Sequence, residues 1–405
     1  MNIVHINSVF KFGSTGRIVE QLYNLSNKEG FTNYVFYGRK DNSDTNDVNV
    51  QRIGGIIDNY LHVIGTRITD KHGLFSEKNT KQLIEQLEKL KPDLIHLHNI
   101  HGYYINYEIL FKFLKNKNIP VVWTLHDCWS FTGHCSHYEY IGCTKWQNQC
   151  FSCEQKKEYP KSLFIDNSFK NYTLKKELFT LINDLYLIPV SQWLHKQLNE
   201  SFFLNKNIQV IKNGIDLSIF RILDNFNKDK YLDKRIILGV SSIWNERKGL
   251  KFFLELSQKI SSEYQIIIVG LTKKQIKMLP SNIVGITRTQ NIEELVYFYN
   301  LADVFINPTL EDTFPTTNIE ALACGTPVIT FNSGGSAEII DKDTGIVSNS
   351  KTTQSLIYAL SEIFSKPKSF FLKKCRNRAE LLYDKEQNFL EYIHLYHKIL
   401  NTHAN

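Results

Sequence analysis

No window of this 405-residue chain reaches the roughly 18 consecutive apolar residues that a membrane-spanning helix needs. The start, MNIVHINSVFKFGST, also lacks the basic-then-apolar order of a secretory leader, so the expected location is the cytoplasm. Arginine-rich stripes are missing too, and no nucleic-acid partner is expected. Nor is the composition that of a disordered chain. Hydrophobic residues make up 42% and aromatics 13%, with 26 Phe and 20 Tyr, enough for two packed cores. A chain of this length exceeds one ordinary core and suits two domains of roughly 200 residues each.

The net charge of +7 is compatible with nucleic acid, an anionic membrane surface or anionic substrates, and charge alone does not choose among them. Lysines recur at 112, 115, 117, 156, 157, 161, 170, 175 and 176, which favours one half of the molecule for a peripheral contact with the inner membrane surface. An Asn- and Lys-rich composition explains the same run without any membrane.

Short β-rich runs alternate with helix-length amphipathic stretches, the pattern of parallel sheets wrapped by helices. NIVHINSV, NYVFYG, DLIHLH, PVVWTLHD and LYLIPV read as the strands of a first series. KRIILGVSSI, YQIIIVG, NIVGIT, DVFINP and PVITF read as a second. The fold class is therefore α/β, two Rossmann-like domains, over 1–214 and 215–384, and one helix over 385–405 closes the chain. The stretch IKNGIDLSIFRILDNFNKDKYLDK reads as the connection between the series. Doubly wound sheets bind ligands outside the carboxyl ends of their strands, so the functional residues belong in post-strand loops and in a crevice between the domains.

Four such loops carry chemistry. TLEDTFPTTNIEALACGTPVITFNSGGSAE follows strand DVFINP, placing Glu311 and Asp312 in a loop and Glu320 on the next helix. A helix start offers amides to an anion, and acids beside it accept hydrogen bonds from sugar hydroxyls. SSIWNERKGL follows RIILGV, and its Arg247 and Lys248 are cations suited to a departing diphosphate. Gly13, Ser14, Thr15 and Gly16 follow the first strand, where glycines let a ligand approach the backbone. His126 ends PVVWTLH, with His96, His98 and His101 after the preceding strand.

Two acids seven residues apart, Asp312 and Glu320, followed by an Ala-rich helix and Gly-Thr-Pro-Val, resemble the donor-site signature of family 4 glycosyltransferases. The family has Glu where this chain has Asp312, and an Arg where it has Ile243. The resemblance implies the GT-B fold and retention at the anomeric carbon. It also implies a nucleotide-diphosphate sugar donor, of UDP or GDP, and an oligosaccharide or lipid-linked acceptor. Glu320 would then hold the ribose, Asp312 or Glu311 the sugar, and Phe314, Pro315, Thr316 and Thr317 the sugar or phosphate. Gly13 to Gly16 would face the diphosphate and acceptor, with His126 beside the donor sugar. No Asp-x-Asp motif of the metal-dependent transferase type stands out, so no cofactor is expected in catalysis.

Five cysteines, Cys128, Cys135, Cys143, Cys150 and Cys153, crowd one segment. Cys150 and Cys153 have zinc-ribbon spacing, and Cys135 and Cys143 complete a possible structural zinc site; buried free thiols or a disulfide are the alternatives. The segment from His126 to Ser162 resembles an insertion in family members of bacterial exopolysaccharide and capsule assembly. A nucleotide-sugar isomerase and a non-catalytic nucleotide-binding scaffold are the competing functions.

Overall fold

The computed structural model describes residues 1–39, 47–224 and 233–403. It divides into two compact units, Met1–Lys212 with Phe389–Asn405, and Asn213–Asn388. The division falls two residues before the position read from the sequence. The first four residues of the closing helix group with the second unit. Part of the expected connection, 225–232, lies outside the described residues.

The first unit holds seven parallel strands: β1 (Asn2–Asn7), β2 (Thr32–Tyr37), β3 (Val50–Arg52), β4 (Leu94–Leu97), β5 (Val121–Leu125), β6 (Leu185–Pro189) and β7 (Asn207–Ile208). Their order is β3-β2-β1-β4-β5-β6-β7. Helices α1 (Gly13–Lys28), α2 (Ile56–Thr69), α3 (Glu77–Leu90), α4 (Tyr107–Lys117), α5 (Ser168–Thr180) and α6 (Gln192–Asn199) connect them. The second unit holds β8 (Arg235–Val240), β9 (Tyr264–Val269), β10 (Ile283–Ile286), β11 (Val304–Asn307), β12 (Val328–Phe331) and β13 (Gly345–Ser348), again parallel, in the order β10-β9-β8-β11-β12-β13. Its helices are α7 (Leu250–Ser257), α8 (Lys273–Ile276), α9 (Ile292–Leu301), α10 (Thr316–Ala323), α11 (Thr353–Phe364) and α12 (Lys368–Tyr383), and α13 (Lys385–His403) follows.

Counted within each unit, both sheets follow the doubly wound order 3-2-1-4-5-6, the first adding β7 at its edge. Every residue of β4, β5, β11 and β12 is buried, as strands covered on both faces require. The strands not foreseen, β3, β7 and β13, all sit at sheet edges. They are two to four residues long and carry no apolar run to betray them.

In α1 the buried Ile18, Val19, Leu22 and Tyr23 recur at helical spacing against the sheet. From α13, Tyr392, Ile393, Tyr396 and Ile399 join Ile3, Leu22 and Leu94 in one core cluster of the first unit. Among the described residues no helix is long and apolar enough to cross a membrane.

Candidate functional site

The order of the second sheet explains why two motifs 60 residues apart in sequence meet. β8 and β11 are neighbours, pairing Ile237 with Val304 and Leu238 with Phe305, so the loops that leave them emerge side by side at the point where the strand order reverses. There Lys248 forms an ion pair with Asp312. Arg247 donates to the backbone oxygen of Glu311 at 3.1 Å, and its Nε lies 3.8 Å from that residue's carboxylate. Leu310 N–H donates back to the Arg247 carbonyl at 2.8 Å. Both acids of the loop thus face the cations, Glu311 almost fully buried and Asp312 partly so.

Two glycines make this packing possible. Gly249 has φ +77° and a side chain there would meet the Pro308 carbonyl at 2.2 Å. Gly334 has φ +53° and would meet the Asp312 carbonyl at 1.8 Å, while the amide of Gly335 donates to that same oxygen at 3.0 Å. The Ser333 hydroxyl donates to Thr309 O at 2.8 Å, closing the loop from the other side.

Helix α10 starts on Pro315 with no side-chain cap, which leaves first-turn amides for a ligand. Pro315 itself has no N–H, and the Phe314 amide lies 3.3 Å from Asp312 Oδ1, so the amides left to carry the expected anion contact are those of Thr316 and Thr317. The Phe314 ring is buried, edge-on to Tyr383, and belongs to the packing beneath the loop. Glu320 accepts from the Tyr299 hydroxyl at 2.8 Å. Burial and the Glu320 charge push the Tyr299 phenol well above its usual value, so it remains a donor. Tyr299 is a member the sequence did not disclose, since a Tyr within the apolar run ELVYFYNLA of α9 reads as core. A concavity of about 310 Å³, lined by Arg235, Asp303 and Phe364 among others, shares no residue with these loops. It includes the first residue of β8, whereas ligands of such sheets sit at the carboxyl ends.

One Asp-x-Asp triplet does occur, Asp341-Lys342-Asp343. It lies in the turn before β13, with Asp341 bound to Arg378 at 2.6 Å and Asp343 to Lys374 at 2.8 Å, as a surface ion-pair turn.

In the first unit the expected glycine loop is the opening turn of α1, which begins at Gly13 and contains Ser14, Thr15 and Gly16. His126 follows β5 and His98 follows β4. Their ring nitrogens are 3.5 Å apart and the rings stack at 5.8 Å. His98 in turn stacks on His96 at 4.0 Å. His96 is structural, bonded to Tyr396 at 2.5 Å and to Thr124 at 2.8 Å. Burial lowers His126 to about 4 and lowers His96 and His98 well below the usual range, so these imidazoles are neutral at physiological pH. Nitrogens of His5, His96 and His98 come within 4.8 Å of one another, but both nitrogens of His96 already have partners. His101 donates to Asp127 at 2.9 Å and meets Tyr159 at 2.9 Å. Burial alone raises an acid, yet the His101 charge and hydrogen bond win and hold Asp127 at about 2.

The four cysteines expected to hold zinc lie near one another, Cys150 within electrostatic reach of Cys143 and Cys153, and Cys135 within reach of Cys150 and Cys153. Cys135 and Cys153 share a hydrogen bond that lowers the Cys153 thiol to about 7 and raises Cys135. Cys150 accepts from the Gly133 amide at 3.2 Å, and among the described residues no three thiols gather within 4.8 Å. What braces this segment is Lys175, placed by the sequence reading on a membrane-facing surface but in fact buried. Its ammonium donates to the carbonyls of Trp129 and Thr132 at 2.7 and 3.0 Å and lies 3.5 Å from the Trp129 ring centre.

Comparison with known proteins bears on this arrangement. The profile described as Glycosyltransferase Family 4 matches residues 15–219, half of the chain, and that described as Glycosyl transferases group 1 matches 234–366. A protein of Escherichia coli K12 named for colanic acid biosynthesis glycosyl transfer, WcaC, is 23% identical over 98% of this chain and 100% of its own length. The N,N'-diacetylbacillosaminyl-diphospho-undecaprenol alpha-1,3-N-acetylgalactosaminyltransferase of Campylobacter jejuni is 24% identical over 73% of this chain and 82% of its own. Among solved structures, sucrose-phosphate synthase of Thermosynechococcus elongatus covers 99% of both chains with TM-score 0.73 at 18% identity. Anabaena HepE in complex with UDP covers 98% of this chain and 100% of its own, with TM-score 0.68 at 13% identity. At such identities the structures speak for the fold, two parallel-sheet Rossmann-like units of the GT-B type. With half its length matched by the family's profile, the chain belongs to glycosyltransferase family 4.

Proposed function

We propose that this enzyme transfers a hexose from a nucleotide-diphosphate sugar to a growing, lipid-linked oligosaccharide in exopolysaccharide or capsule biosynthesis, with retention at the anomeric carbon. The observation that carries the donor half is the meeting of Arg247 with Glu311 and of Lys248 with Asp312 at the β8/β11 reversal. An arriving diphosphate competes with Asp312 for Lys248, and the released carboxylate is then placed for sugar hydroxyls. Glu320, held by Tyr299, accepts from the ribose. The bond from C1 to the diphosphate oxygen breaks and a bond from C1 to an acceptor oxygen forms on the same face, the acceptor proton passing to the departing phosphate. Lys248 and Arg247 stabilise the charge that develops on the leaving group, with no metal ion in the scheme. Neutral His126 hydrogen-bonds the donor sugar.

UDP in the HepE complex and the undecaprenol-linked acceptor in the Campylobacter relative's name support the donor and acceptor classes. Colanic acid in the name of the E. coli relative supports the polysaccharide context. The test is a panel of UDP and GDP sugars scored by protection against thermal unfolding, then by transfer to lipid-linked acceptors, with the product anomer read by NMR. No nucleotide protecting the protein sinks the donor assignment, and an inverted product sinks retention.

A further inference from the structure

Helix α2 is built inside out. Its Asp58, Asn59, His62 and Thr66 face the protein: Asn59 bonds Arg52 at 2.8 Å and Tyr103 O at 2.9 Å, and His62 bonds Ser76 at 2.8 Å and the Gly73 amide at 3.1 Å. Its apolar residues face out. Ile57, Tyr60, Leu61, Ile64 and Ile68 are all exposed, Ile57 at 75%. At about 100° per residue they fall within an arc of about 140° with Ile56, leaving Arg67 on that arc as its one charge.

The patch continues beyond the helix. The Leu163 amide donates to Arg67 O at 2.8 Å, and Asn167 bonds Thr69 O at 2.7 Å and Asp70 at 2.8 Å, stitching the following loop to the end of α2. That loop exposes Leu163, Phe164 and Ile165, Phe164 at 72%. Around it the exposed cations are Arg67, Lys71, Lys157 and Lys161, with Glu158 the acid among them. A continuous apolar surface of this size calls for a cover.

We propose that this face seats the first unit on an anionic lipid surface, with α2 lying in the interface plane and Phe164 inserted beside it. An apolar stripe with one Tyr and a cationic rim matches headgroups above acyl chains. Pairing of two copies through the same face brings like-charged rims together, which disfavours that occupant. The lysines of α4 contribute less, since Lys112 is paired with Glu108 and Lys117 with Glu88. The inference stands apart from the donor reading, because none of these residues belongs to the second unit.

The full chain is sedimented with vesicles of phosphatidylcholine alone and with added phosphatidylglycerol, at low and high salt. Binding to the anionic vesicles that falls steeply with salt is expected. The double variant Ile57→Asp, Ile64→Asp loses at least about tenfold in partitioning, and Arg67→Glu with Lys71→Glu removes the salt dependence. Circular dichroism and nucleotide protection stay unchanged, because these side chains are exposed. Wild type that fails to bind vesicles, variants that bind as well as wild type, or a dimer in sedimentation velocity that the Asp variant splits would each overturn the proposal.

Discussion

The two units share one strand order and almost nothing else chemically. All 13 histidines and five of the seven cysteines belong to the first unit, and the second has no histidine at all. The first unit presents stacked neutral imidazoles at the ends of β4 and β5, one strand along from its β1/β4 reversal, and the second presents paired cations and carboxylates after β8 and β11, at its reversal. Topology chooses where a ligand meets the sheet, and the loop residues choose what it meets. In the proposed reaction a charged diphosphate would sit with the second set, and hydroxyls with the first.

The largest effect that tests this division is in the second unit. Lys248→Ala is expected to lower kcat/KM by about 10²–10³-fold and to weaken nucleotide protection in thermal unfolding. Glu320→Ala should weaken both as well with the fold intact; full protection in either variant would move the donor elsewhere. In the first unit, His126→Ala is expected to lower kcat by about 10²-fold while leaving nucleotide protection as in wild type. Lost protection there would break the division.

Acid sharpens the contrast next. Burial holds folded His5 and His126 at about 4, below the unfolded value of 6.5, so the unfolded chain binds more protons between those limits. Stability is therefore fully present above pH 6.5 and declines as pH falls towards 4, by about 3 kcal/mol for each such imidazole. His134 opposes the trend with one group, since burial lowers it but the hydrogen bond to Asp70 and that carboxylate's charge together win and raise it. Trp123, Trp129, Trp146 and Trp193 lie in the first unit and only Trp244 in the second, so tryptophan fluorescence follows the sensitive half. A denaturation midpoint that stays flat from pH 6.5 to 4.5 would refute the burial argument. The smallest expected effect is Gly334→Ala, about 1–2 kcal/mol from positive φ and collision with Asp312, seen as a lower Tm.

Much of the fold was legible because central strands buried on both faces must be written as apolar runs. Edge strands such as Val50–Arg52 carry no such obligation and were missed. The acids and cations of the donor loops announced themselves through spacing, and the sheet order then brought them together. The pairing of Lys248 with Asp312 and the hydroxyl of Tyr299 on Glu320 depend on crossings of 21 to 64 residues, which no local pattern encodes. The cysteines are the opposite case. Their spacing is local, and what it does not show is the hydrogen bond between Cys135 and Cys153 or the one from the Gly133 amide to Cys150. Lysine position was equally blind to burial at Lys175.

The hydrogen bond between His96 and Tyr396 joins residues 300 apart in sequence. During synthesis the first unit therefore waits with a seam open along Ile3, Leu22 and Leu94 until α13 has left the ribosome, after the whole second unit has been made. A nascent chain of this design is exposed to chaperones and proteases longest in the half that is translated first.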